Sequence, residues 1–230
     1  MIFAGIQKSS LVDYPGLVSC VLFVPGCNYD CFYCHNRSLL TGPHEILDPN
    51  AVLAFLKKRT GLLDAVVVTG GEPTLQPDLT GTLLEFKSLG YRVKLDTNGS
   101  NPEAVSEVLK SGACSYFAVD YKAPSARYEE ICGTGTDAAA VRETVELLLG
   151  SGAPFEVRTT VIPQLLESDL MQMAAELPAV PRWTLNRYRK PSPYKPCDEE
   201  RICSVPWTQE QIAGFARKMA SVQPNMNLAK

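Results

Sequence analysis

The sequence predicts an α/β fold whose strands run parallel. Three observations predict it: six short runs rich in apolar and β-branched residues, a helix-period segment after each, and Gly, Pro, Asn or Asp at nearly every junction. Strands alternating with helices of about 10–15 residues require right-handed crossovers and therefore a parallel sheet. Six such units do not close an eight-stranded barrel. An open partial barrel and a doubly wound flat sheet both remain, and both place ligands at the carboxyl ends of the strands.

The first strand is expected at Leu17–Val24, followed by a cysteine-bearing loop. Asp48 then suits an N-cap and Pro49 the first helical position; Val52, Leu53, Phe55 and Leu56 form one apolar face, and Lys57, Lys58 and Arg59 sit in the last turn before Gly61. Asp64–Thr69 is a buried strand closed by Gly70 and Gly71, with a helix over Asp78–Leu89 ended by Gly90. The next strand is Tyr91–Leu95, and a helix opens at Asn101-Pro102 and closes at Gly112. Then come a strand at Ser115–Val119, a helix at Ala138–Leu149, a strand at Phe155–Ile162 and a helix at Leu166–Leu177. A strand at Arg182–Arg187 and a last helix at Thr208–Ala220 complete the pattern, and Lys190–Pro196 is a surface loop. One domain is expected over 1–230, with its core at about 15–190 and the C-terminal helix at about 207–222.

Composition narrows the class. The chain has 230 residues, 45% hydrophobic and 20% charged, ordinary values for a folded globular protein. A net charge of −3 supplies no basic field for nucleic acid or an anionic membrane. The longest apolar stretch, Leu17–Val24, is far below the roughly 20 residues that span a bilayer, and no charged-then-apolar leader opens the chain. A cytoplasmic location is the expectation.

Eight cysteines stand at 20, 27, 31, 34, 114, 132, 197 and 203. Cys27, Cys31 and Cys34 crowd one loop as C-x3-C-x2-C, a spacing too tight for mutual disulfides and suited to a metal or redox site. Three thiolates can hold three irons of a [4Fe–4S] cube and leave the fourth iron open, which makes that corner reactive. A structural zinc on Cys27, Cys31, Cys34 and His35 is the alternative, against which the adjacency of Cys34 and His35 counts. Cys20 is expected as buried packing, Cys114 and Cys132 as partnerless residues at element ends, and His44 as a solvated loop residue. Cys197 and Cys203 are too few for a second metal site.

The C-x3-C-x2-C spacing, with Tyr33 before the last cysteine, resembles the signature of the radical S-adenosylmethionine (SAM) superfamily. Lys8-Ser-Ser-Leu-Val-Asp-Tyr-Pro-Gly16, Pro25-Gly-Cys-Asn28 and Cys34-His-Asn36 resemble more narrowly the activating enzymes of glycyl-radical proteins. Among these the likeness is nearest to the activating proteins of anaerobic ribonucleoside-triphosphate reductase, and it runs over about Gly5–Arg187. The resemblance implies a partial (β/α)6 barrel, open on one side. It implies a [4Fe–4S] cluster on Cys27, Cys31 and Cys34, with SAM chelating the open iron.

Other residues take roles from the same resemblance. Gly70-Gly71-Glu72 matches a motif that meets the SAM amino group, and Tyr33, Thr97, Lys122 and Arg158 are expected near that cofactor. Asp96, Thr97 and Asp120 would hold a monovalent cation; from the residues alone, Asp and Asn at strand ends also serve as turn caps. No glycine-rich motif precedes a glutamate within Val161–Glu167, a departure from the wider superfamily. The implied reaction reductively cleaves SAM with an electron from flavodoxin or ferredoxin. The resulting 5′-deoxyadenosyl radical takes hydrogen from a glycine of a partner glycyl-radical enzyme, the large subunit of anaerobic ribonucleotide reductase. Rival expectations are a pyruvate formate-lyase type activase, a small-molecule enzyme of the same superfamily resembling a deazapurine synthase, and a zinc-stabilised binding module.

Overall fold

Strands and helices alternate along the computed structural model, which describes residues 1–40 and 45–229; His44 lies outside the described residues. Eight strands neighbour one another in chain order, β1 to β8, in one mostly parallel sheet with β1 and β8 at its ends. The contacts divide the chain into two units, 1–28 with 38–97 and 101–118, and 29–37 with 98–100 and 119–230.

The first unit holds β1 (Gly5–Ser10), β2 (Ser19–Val24), α1 (Pro49–Arg59), β3 (Ala65–Gly70), α2 (Leu79–Ser88), β4 (Arg92–Thr97) and α3 (Pro102–Ser111). Parallel registers run from Ser19↔Ala65 to Val24↔Gly70 and from Ala65↔Arg92 to Val68↔Leu95. The caps act as their residue types dictate: the Asp48 side chain accepts from the Asn50 amide at 2.9 Å, and that of Asn101 from the Ala104 amide at 3.2 Å. Val66, Val67 and Val68 are fully buried, each stabilising the fold by about 1.5–3 kcal/mol relative to exposure.

Between the units in sequence runs β5 (Tyr116–Asp120). The second unit holds α4 (Tyr128–Cys132), α5 (Ala138–Ser151), β6 (Phe155–Val161), α6 (Glu167–Glu176), β7 (Trp183–Arg187), α7 (Glu199–Ile202), α8 (Gln209–Met219) and β8 (Met226–Leu228). Its parallel registers include Val157↔Trp183 and Trp183↔Met226. Period-2 alternation separates two faces of β6. Thr184 donates to Glu156 at 2.9 Å on the face that also carries Arg158, whereas Trp183 Nε1 donates to Thr159 Oγ1 at 3.0 Å on the other.

The six expected strands are β2–β7, and the expected helices are α1, α2, α3, α5, α6 and α8. Two strands and two helices go beyond the expectation. β1 pairs antiparallel with β2 from Gly5↔Phe23, and three-residue β8 extends the other end. α4 and α7 span only 5 and 4 residues, too short to show a helical period. β4 also continues past Leu95 through Asp96 and Thr97.

Candidate active site

In the first unit the carboxyl ends of β2 and β3 are locked backbone to backbone. The amides of Gly71 and Glu72 donate to Val24 O at 2.8 Å and Gly26 O at 2.7 Å. A Cβ on Gly71 would lie 1.8 Å from Gly26 O, and one on Gly70, at φ +122°, would lie 2.4 Å from Val24 N. Both glycines are therefore demanded by this strand junction, whatever ligand it meets.

Glu72 then turns inward and is fully buried. Its Oε1 accepts from the Thr74 amide at 3.0 Å, from Thr74 Oγ1 at 2.7 Å and from Thr97 Oγ1 at 2.7 Å. The side chains of Glu72 and Thr97, both expected against a cofactor, thus engage each other. With two amide hydrogens used, such a turn offers a ligand its carbonyl oxygens, the polarity an ammonium group needs.

Asp96 lies on the opposite face of β4 from Thr97, 3.1 Å from the Nζ of buried Lys94, which also donates to Asp13 O at 2.6 Å. In the second unit, Asp120 at the end of β5 accepts from Lys122 Nζ at 3.0 Å and from Arg158 at 3.0 Å. Burial alone would raise the Asp120 pKa, but the Arg158 and Lys122 charges outweigh it and hold it at about 2. Burial likewise works against the Lys122 ammonium, and the Asp120 carboxylate reverses that effect, so its pKa ends well above the ordinary lysine value. Both carboxylates expected to hold a monovalent cation are thus matched to side-chain cations, and Thr97 to Glu72. The cation is unsupported.

The cysteine loop from Tyr29 to Arg37 also belongs to the second unit. Buried Arg37 braces it, with Nη1 donating to Asp30 at 2.8 Å and Nη2 to Cys31 O at 2.6 Å. The Cys34 amide donates to Cys31 O at 3.1 Å, a turn that brings these two cysteines round. Lys195 pairs with Asp30, and the Arg201 guanidinium of α7 lies 3.8 Å from the centroid of the Phe32 ring. Tyr33 is buried, and burial raises its pKa well above the phenolic norm. Cys31 is raised too, first by a side-chain hydrogen bond with Cys132 and then by burial.

These residues fit a cluster. None of the eight cysteines forms a disulfide, so Cys27, Cys31 and Cys34 remain thiols that could serve as thiolate donors. Among the described residues no three His, Cys, Asp or Glu side chains gather as they would around one metal ion. A cube needs no such convergence, because each thiolate meets a different iron. Among the described residues His35 does not gather with the thiols, which counts against the structural-zinc alternative; burial lowers its pKa.

Cys114 and Cys132 correct an expectation, since both have partners. Cys114 Sγ donates to Tyr116 O at 2.9 Å, and Cys132 O accepts from the Asp30 amide at 2.8 Å. Cys20 is fully buried as expected, with burial pushing its thiol up to about 12. Asp30, Arg37, Cys132 and Arg201 had no signal of their own in the sequence, beyond the nearness of two of them to the cysteines. A cavity of about 780 Å³ in the second unit is lined by Asn186, Arg187, Tyr188, Arg189, Gln209 and Ala229, none of them an expected site residue.

The model of the radical SAM superfamily matches residues 21–177. The chain belongs to that superfamily. As a radical SAM protein it is an enzyme of radical chemistry, and membership implies a [4Fe–4S] cluster and SAM. A Methanocaldococcus jannaschii protein, provisionally named a glycyl-radical enzyme activating enzyme, is 30% identical over 206 residues, covering 86% of this chain and 82% of its own. A Saccharolobus islandicus protein, provisionally named GTP 3′,8-cyclase, is 35% identical over 115 residues, covering 49% of this radical SAM chain and only 36% of its own length. Among solved structures, SuiB of Streptococcus suis bound to SAM superposes with a TM-score of 0.64 at 15% identity, over 91% of this chain and 51% of that one. A domain of the pyruvate-formate lyase-activating enzyme of Bacteroides vulgatus gives 0.57 at 17% identity, over 73% and 99%. These two likenesses concern the fold. Among the described residues no helix is long and apolar enough to cross a membrane.

Proposed function

We propose that this radical SAM enzyme activates a glycyl-radical enzyme, most specifically the large subunit of anaerobic ribonucleotide reductase. The observation that carries the reading is the C-x3-C-x2-C loop, together with a 30% identical relative, matched over 86% of this chain, that bears the activating-enzyme name. When bound, the cluster and SAM supply a 5′-deoxyadenosyl radical that takes a hydrogen from the partner's glycine Cα. The choice of ribonucleotide reductase over pyruvate formate-lyase rests on the sequence resemblance around Lys8–Gly16 and Pro25–Asn36.

In this proposal Cys27, Cys31 and Cys34 bind three irons, and Tyr33 shields them from water. The Gly70-Gly71-Glu72 turn presents carbonyl oxygens to the SAM ammonium, while the Glu72 side chain holds the turn in shape. Asp120 anchors Lys122 and Arg158, the charges suited to orient a carboxylate or ribose. Asp96 contributes through Lys94. The chain acts as a single domain over 1–230, in the cytoplasm, where reduced thiols and flavodoxin or ferredoxin are at hand.

The test is anaerobic. Reconstituted protein, SAM, reductant and candidate partner are mixed, and the electron paramagnetic resonance (EPR) spectrum is recorded. A glycyl doublet in the partner, absent when SAM or reductant is omitted, is the expected result. SAM cleavage stimulated only by a small molecule, with no doublet in either reductase or lyase, would overturn the reading.

A further inference from the structure

The cavity in the second unit has no part in the proposed chemistry. Its volume of about 780 Å³ falls in the range of ligand sites, and its lining includes two arginines, Arg187 and Arg189. Both are exposed, and among the described residues neither has an ion-pair partner, whereas Arg127, Arg158, Arg182 and Arg201 of the same unit each meet a carboxylate. Among the described residues no lining side chain is acidic. A chain of net charge −3 thus keeps two uncompensated guanidiniums at one cleft.

The backbone decides how these charges are offered. Arg187 ends β7, and Tyr188 after it is buried with its hydroxyl donating to Ile202 O at 2.8 Å. The exposed–buried–exposed order of Arg187, Tyr188 and Arg189 is that of extended chain, whose rise of about 3.3 Å per residue sets alternate side chains roughly 7 Å apart on one face. That spacing matches carboxylates on alternate residues of a second extended segment, each able to take a guanidinium fork through two hydrogen bonds. A small phosphate is served better by free amides at a helix N-terminus. Gln209 opens α8 at this cavity, but the helix closes its own entrance: the Gln211 amide donates to Thr208 Oγ1 at 3.2 Å and the Thr208 amide to Gln211 Oε1 at 2.8 Å. Glu210 in the same turn adds a negative charge. The cleft therefore favours carboxylates borne on a protein over a small phosphate.

We propose that Arg187 and Arg189 form a docking cleft for an acidic segment of the partner enzyme. Exposed opposite charges steer encounter and set which partner is accepted, and they weaken as salt screens them. This inference rests on the proposed function and adds to it a recognition surface made of residues outside those assigned to the cluster and SAM.

The experiment titrates reconstituted enzyme with the large subunit of anaerobic ribonucleotide reductase, reading Kd by fluorescence anisotropy and the glycyl doublet by EPR. The unsubstituted protein is compared with the double variants Arg187→Glu/Arg189→Glu and Arg187→Lys/Arg189→Lys. Charge reversal should raise Kd, and the partner concentration giving half-maximal doublet, by about tenfold or more, and the lysine pair should recover part of the loss. Affinity of the unsubstituted protein should also fall steeply as salt rises, a result that needs no variant to fold. Equal affinity of the unsubstituted and charge-reversed proteins, or salt-independent binding, overturns the proposal. Pyrophosphate bound at the arginines, with partner affinity unmoved by the substitutions, assigns the cleft to a small anion and overturns it too. An unsubstituted protein that yields no doublet in the partner strikes the functional reading and the proposal with it, whereas a doublet formed with equal affinity by the charge-reversed protein strikes the docking cleft alone.

Discussion

The Gly70-Gly71-Glu72 turn and the cysteine loop are both expected to serve the same cofactors, yet they are held in opposite ways. The turn is complete within the chain, its amides on Val24 and Gly26 carbonyls and its carboxylate saturated by Thr74 and Thr97. The loop is braced by Arg37, Asp30 and Arg201 around thiols that form no disulfide. The difference teaches that one half of the expected site is a structural keystone whose shape precedes any ligand, and the other a scaffold whose donors await one. Substitutions in the turn should therefore act on stability without metal, and substitutions in the loop on metal uptake.

The largest effect is expected at the loop. Cys31→Ala should abolish stable cluster binding, leaving colourless protein after reconstitution, while denaturant unfolding of the metal-free chain moves little. A metal-free chain as badly destabilised as a turn variant would break the contrast. Next, Glu72→Ala removes an acceptor from three donors and leaves them buried, at a cost of about 3 kcal/mol or more in urea unfolding of metal-free protein. Gly71→Ala forces a Cβ into Gly26 O and should cost about 1–3 kcal/mol in the same assay. A neutral result for either would show that the turn is not the keystone described.

Much of this was legible in sequence, and what was not has a physical reason. β2 to β7 show themselves because buried parallel strands are continuous apolar runs, and Gly61, Gly90 and Gly112 mark where helices have stopped. β1, GIQKSS, has polar and small residues where a buried strand would have apolar ones, so only its pairing with β2 defines it. The sequence places the end of β4 at Leu95, short of Thr97, because Asp96 suggests a turn until Lys94 is seen beside it. The cysteine ligands lie in a local motif and could be read directly. Cys132 could not, because the bond from the Asp30 amide to its carbonyl joins segments far apart in the chain, which no local pattern encodes. The same holds for Asp120: its sequence neighbours reveal Lys122 but not Arg158 on the next strand.

The smallest effect sharpens the comparison at Asp120, which carries charge yet remains partly exposed. Its folded pKa of about 2 lies below the ordinary carboxylate value of 3.8, so the group adds stability above pH 3.8 and loses that contribution as pH falls toward about 2. Asp120→Asn should lower stability at neutral pH and flatten this part of the acid dependence, measured by urea unfolding from pH 2 to 5. An unaltered acid profile would show that Lys122 and Arg158 do not hold the carboxylate as described.

The proposed function turns on a cluster on Cys27, Cys31 and Cys34 that keeps one iron free of protein ligands. The most direct measurement is electron–nuclear double resonance on the reduced, reconstituted protein with SAM labelled at its amino nitrogen and carboxylate oxygen. The account predicts hyperfine coupling from both labels and a changed EPR spectrum on adding SAM. An unchanged spectrum without coupling, from a cluster already fully ligated by the chain, would contradict it.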